Sequence, residues 1–122
     1  MRWFKRTLSR PSQELKPPII KFVGEQDGSS ERELKDRFVE QFRGNATVLR
    51  AYLARADYGD AAGPHVTLCV RSAVAKDKAL VGRVADIFAA LFGSHEHLDI
   101  LLIRDDQEAE LRRVCKPFYE AE

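Results

Sequence analysis

The residues best suited to chemistry lie in one short run, His95-Glu96-His97-Leu98-Asp99. Two imidazoles and a carboxylate form a donor set that zinc or another transition metal accepts. Alternate side chains of an extended segment share a side, so His95, His97 and Asp99 would point together. The competing reading is a polar connector between a helix and a strand, because no cysteine or further histidine lies nearby in sequence. The run is a weak metal candidate, and the expectation is a protein with no resident metal or cofactor.

Nucleophilic chemistry is less well provided for. Cys69 would need a neighbouring base to lower its thiol pKa. His65 shares a strand face with it but stands about two strand repeats away, too far for a direct hydrogen bond. Carboxylates are plentiful (Asp57, Asp60, Asp105, Asp106, Glu108, Glu110), yet none pairs with an apolar surround that would raise its pKa. Asp105, Asp106 and Glu108 read as the acidic first turn of a helix, complementing its dipole. There is no glycine-rich phosphate loop. Cys69 and Cys115 lack CxxC spacing and read as buried free thiols. The pattern leans towards a protein that is not an enzyme.

Ile19-Ile20-Lys21-Phe22-Val23 is a strand closed by Gly24 and the turn-forming Asp27-Gly28. Ser30 and Glu33 have capping-box spacing, and Leu34, Phe38 and Phe42 follow as a helical stripe ending at Gly44, placed as a left-handed stop. Two alternating strands come next, Thr47 to Arg55 and His65 to Arg71, joined by a loop with Gly59, Gly63 and Pro64. On one face stand Leu49, Leu53, Val66, Leu68 and Val70; on the other stand Arg50, Tyr52, Thr67, Cys69 and Arg71, with Lys21 beside them. Asp77 caps a second helix bearing Leu80, Val84, Ile87, Phe88, Leu91 and Phe92 and ending at Gly93. Leu98 to Ile103 is a strand apolar on both faces, central or covered. Gln107 to Cys115 is a short helix, ended by Pro117-Phe118-Tyr119.

That order, β-α-β-β-α-β plus a terminal helix, predicts an α+β fold of the ferredoxin-like kind, with two helices on one face of a four-stranded antiparallel sheet. The 122 residues make one domain able to bury a core without disulfides or metal. Residues 1–17 form a basic extension, with Arg2, Lys5, Arg6, Arg10 and Lys16 against Glu14 alone, and residues 18–122 form the domain. Trp3, Phe4 and Leu8 would let the extension dock or lie on a membrane surface, and a docked or mobile tail is the plainer reading. No secretory or membrane-spanning apolar run is present, which predicts a cytoplasmic protein.

These residues resemble a known family, the C-terminal domain of the SseB proteins, named for enhanced serine sensitivity. The resemblance lies in the helix leading into Val48-Leu49-Arg50-Ala51-Tyr52-Leu53, in His65-Val66-Thr67-Leu68-Cys69-Val70, in Leu98-Asp99-Ile100-Leu101 and in the terminal Pro117-Phe118-Tyr119-Glu120. It covers roughly residues 18–120, and longer members carry a further N-terminal domain. It implies a small bacterial protein linked to serine tolerance and supplies no catalytic residues.

The expected partner is another protein or a second copy, met through the open sheet face (Arg50, Tyr52, Thr67, Cys69, Arg71) or through the hairpin loop, since Tyr and Arg recur as interface anchors. The alternative is a small-ligand sensor, with an amino acid such as serine suggested by analogy alone. Nucleic acid is not expected. The net charge is +1, and a face with Tyr52 as its one aromatic lacks the stacking pattern of RNA-recognition modules.

Overall fold

The computed structural model describes residues 20–59, 64–74, 77–93 and 98–121. It contains the strands β1 (Lys21–Glu25), β2 (Val48–Asp57), β3 (His65–Ser72), β4 (Asp99–Leu102) and β5 (Tyr119–Glu120), and the helices α1 (Ser29–Arg43), α2 (Lys78–Phe92) and α3 (Asp105–Leu111). The basic extension at 1–17, the histidines His95 and His97, and the hairpin-loop residues 60–63 lie outside the described residues. Among the described residues no helix is long and apolar enough to cross a membrane.

The apolar stripe of α1 does what its spacing predicts: Leu34, Phe38 and Phe42 are fully buried. Its ends differ from expectation. Gly28 holds the N-cap position, so Ser30 already lies inside the helix and no side-chain cap forms. The first turn closes instead through Arg32 N–H donating to the Gly28 carbonyl at 2.9 Å, while the Glu31 carboxylate accepts from Gln26 Nε2 at 2.5 Å. Gly44 stops the helix at φ −91°, in the ordinary right-handed half of backbone space. The chain turns there because Asn45 N–H reaches the Phe42 carbonyl at 2.9 Å and Asn45 Oδ1 accepts from Thr47 N–H at 3.0 Å. The second helix follows its sequence signals closely. Asp77 Oδ1 accepts from Leu80 N–H at 3.0 Å, and the chain leaves at Gly93 with φ +81°, a conformation that favours glycine.

The fold is α+β, and its sheet is mixed. The strand order is β1-β2-β3-β4, with β1/β2 and β2/β3 antiparallel and β3/β4 parallel. An antiparallel sheet throughout was the expectation. The parallel pair arises because α2 returns the chain to the end of the sheet where β3 began, as crossover connections do. Likewise β1 lies directly against β2, so α1 links two neighbouring strands. The strand β5 has no counterpart in the expected order. Tyr119-Glu120 pairs with Ala51 and Arg50 on the edge of β2 whose other half, Ala54 to Asp57, holds β1.

One sheet face packs under α1 and α2, with Leu34, Phe38 and Phe42 meeting Val48, Ala51, Leu53, Val66, Leu68, Val70, Leu80, Val84 and Phe88. Fully burying each phenylalanine contributes on the order of 1.5–3 kcal/mol. Val48, and not Leu49, supplies the first core residue of β2. The register steps from Val48↔Ser72 to Arg50↔Arg71, leaving Leu49 as an extra residue that shifts the alternation. The other face packs Phe22, Tyr52, Ala54, Ala56 and Cys69 against Ile103, Leu111 and Cys115. At the sheet edge β4 is half-buried on both faces, with Ile100 and Leu102 towards α1 and α2 and Leu101 towards α3.

Candidate functional site

The face that carries the candidate residues is covered. Tyr52, Thr67 and Cys69 are completely buried: α3 and the turn after it lie across Tyr52 and Cys69, and Tyr58 lies against Thr67. The face expected to be open is therefore closed at its centre: Tyr52, Thr67 and Cys69 are interior, while Arg50 and Arg71 stay half-buried at its margin. The physical reason is the apolar side of α3 and of the turn after it: Leu111 and Cys115 need a surface to bury against, and Tyr52, Ala54 and Cys69 provide it.

At the α3 end of this layer the register sets Arg50 directly opposite Arg71. Two like charges facing across strands repel. Glu108, at 6 % exposure, comes down from α3 between them. Its carboxylate accepts from Arg50 Nε at 2.5 Å, from Arg50 Nη2 at 2.9 Å and from Tyr52 Oη at 2.5 Å. Arg71 Nε stands 3.8 Å away and Arg112 Nη1 4.0 Å away. Arg112 also donates to Tyr52 Oη at 3.2 Å. Arg71 is held in turn by an ion pair with Asp105 and a 3.0 Å bond to the Ile103 carbonyl.

Electrostatics follow from that geometry. The fork of hydrogen bonds from Arg50 outweighs burial and holds the Glu108 carboxyl below its ordinary range, while Arg50 is raised. Burial, reinforced by the bond to Glu108, pushes Tyr52 up to about 12. Glu108 does lie in the first turn of α3, as read from sequence, but unlike Asp105 and Asp106 it is buried. Its spacing to Leu111 and Arg112 is the sequence signal that α3 presents Glu108 inward.

Thr67 belongs to a second polar group at the hairpin end. Tyr58 Oη and Thr67 Oγ1 lie 3.0 Å apart, the Tyr58 ring stacks on His65 with centroids 5.3 Å apart, and Thr67 Oγ1 donates to the His65 carbonyl at 3.2 Å. Burial raises the Tyr58 phenol, with the Asp99 carboxylate adding to the effect. Asp99 is the register partner of Thr67. It is the one member of the metal candidate within the described residues, and among those residues no group of three potential ligands gathers.

Cys69 lies between the two groups. Its thiol is raised by burial, and Cys115, also buried, is pushed up to about 12. Both are free thiols held in their unreactive protonated form.

Two grooves on the outside are lined by described residues. One, of about 420 Å³, runs between α1 and α2 and is lined by Arg37, Glu40, Gln41, Asp86, Ile87 and Ala90. The other, of about 450 Å³, lies beside β5 and is lined by Val39, Arg43, Phe118, Tyr119 and Glu120. No protein-family model, curated protein or solved structure matches this α+β chain.

Proposed function

We propose that the protein is a non-enzymatic, SseB-like interaction domain that works by contact with another protein. The observation supporting this reading is the groove between α1 and α2, where Ile87 and Ala90 form an apolar floor flanked by Arg37, Glu40 and Asp86. An apolar centre with a charged rim is the composition of a protein-contact patch. The Arg50-Tyr52-Glu108 group supports it from the other direction, since its hydrogen bonds tie α3 to the sheet and give the domain a rigid frame.

The test is capture of a partner on the immobilised 122-residue chain, repeated with Ala90→Glu at the exposed floor of the groove and with the charge reversal Asp86→Arg. A specific partner retained by the native chain and lost by both variants, whose melting is unchanged, supports the reading. A partner retained equally by both variants moves the contact elsewhere. A rise in melting temperature with millimolar serine would instead favour the amino-acid-sensing alternative.

A further inference from the structure

We infer that the basic extension at residues 1–17 occupies the groove between α1 and α2, covering the patch that a protein partner would use. The inference rests on that reading of the groove and adds its regulation. The groove has an apolar floor, Ile87 and Ala90, and three charged residues in its walls. Arg37 pairs with Glu33 along α1 at 3.9 Å. Glu40 and Asp86 are exposed, and neither takes part in an ion pair or a side-chain hydrogen bond among the described residues. A complementary occupant brings apolar anchors with cations beside them.

The extension has that composition. Trp3, Phe4 and Leu8 are interleaved with Arg2, Lys5 and Arg6, and Glu14 is the single acid among residues 1–17. The rest of the chain has fifteen cationic side chains against eighteen anionic ones, so extension and domain attract. The groove beside β5 offers no such contrast, with one charge of each sign, Arg43 and Glu120.

Position and length suit the contact. Lys21, the first residue of β1, pairs with Asp57 at the sheet end where β3 begins with His65 and β4 with Asp99. The helix α2 starts at the opposite end, where Asp77 meets Thr47, and carries the chain back. Ile87 and Ala90, in its second half, therefore lie towards the end at which the extension joins. The twelve residues from Leu8 to Ile20 span up to about 40 Å, against a radius of gyration of about 13 Å for a domain of this size. Such a tether holds the anchors at an effective concentration in the millimolar range, so even a weak contact fills the groove. A partner must then displace the extension.

Trp3 is the single tryptophan of the chain, so its emission reports docking directly. The experiment is tryptophan fluorescence with acrylamide quenching of the 122-residue chain. It compares the native sequence with the double reversal Glu40→Lys and Asp86→Lys, and with Phe4→Ser and Leu8→Ser together. The native chain should show blue-shifted, protected emission. Both variants should shift it to the red and raise the quenching constant at least about threefold, and about 0.5 M salt should act in the same direction by screening the exposed charges. Glu40→Gln with Asp86→Asn serves in place of a reversal that alters the thermal melt. Native emission already at the position of an exposed indole overturns the proposal. So does a blue-shifted Trp3 that the groove substitutions leave unchanged. Docking is read with no partner present, so an exposed Trp3 leaves the partner reading to its capture test, and a capture that finds nothing leaves the Trp3 result intact.

Discussion

Glu108 is the residue on which the interior polar group turns. It answers the repulsion between Arg50 and Arg71, fixes the Tyr52 phenol and holds α3 down. Replacing it with glutamine keeps the shape and removes the charge. Glu108→Gln should lower unfolding free energy by about 2 kcal/mol, since a charged hydrogen-bonded partner is lost from a buried site. The pH dependence has a definite sign. The folded-state pKa of Glu108 is depressed, so its carboxylate contributes fully above the unfolded value and the contribution disappears as pH falls through the folded one. Urea titrations of native chain and variant should therefore differ by a constant amount from pH 6 to 8, and the difference should begin to shrink as pH falls below about 4, closing only below the depressed folded value. A difference that does not shrink at all as the pH is lowered from about 5 to about 2 would show that Glu108 acts through packing and not charge.

At the scale of elements, α2 is the best-specified piece. Asp77 caps it and also accepts from Thr47 Oγ1 at 3.0 Å, joining the helix start to the entry of β2. Asp77→Ala should reduce stability by about 1–2 kcal/mol, while Asp77→Asn, which keeps a cap acceptor, should recover most of it. Chemical denaturation of the two variants decides this, and equal losses would place the effect in the charge. The stripes of α1 and α2 and the alternation of β3 were legible because periodicity reports which side of an element is apolar. Asp105, Asp106 and Glu108 do form the first turn of α3, as their charge suggested, but the helix ends at Leu111 and not at Cys115.

The whole molecule is closed by its C-terminal end. Phe118 N–H donates to the Ala51 carbonyl at 2.9 Å, the Tyr119 hydroxyl donates to the Phe42 carbonyl at 3.2 Å, and the Phe118 ring lies 6.4 Å from both Phe38 and Phe42. Phe118→Ala should lower stability by about 2 kcal/mol, below the loss for a fully buried ring because Phe118 is half-buried. Truncation after Lys116 should lower it further. Thermal melts of both chains check the order, and a truncated chain as stable as the native one would make β5 incidental.

Local residue order by itself determined the α+β class, the two long helices, the central hairpin and the separation of an aliphatic face from an Arg-Tyr-Thr-Cys face. Each of these depends on neighbours a few positions apart, and helical and strand periods expose them directly. Only the tertiary structure decided that the second face is covered, that β3 and β4 run parallel, that β5 completes the edge of β2, and that Glu108 meets Arg50 across fifty-eight positions. Which strand sits beside which, and which short helix covers a face, are settled by competition among distant apolar surfaces for burial. No local pattern records the outcome of that competition, so Tyr52 and Cys69 looked like the exposed side of a sheet until α3 was seen lying over them.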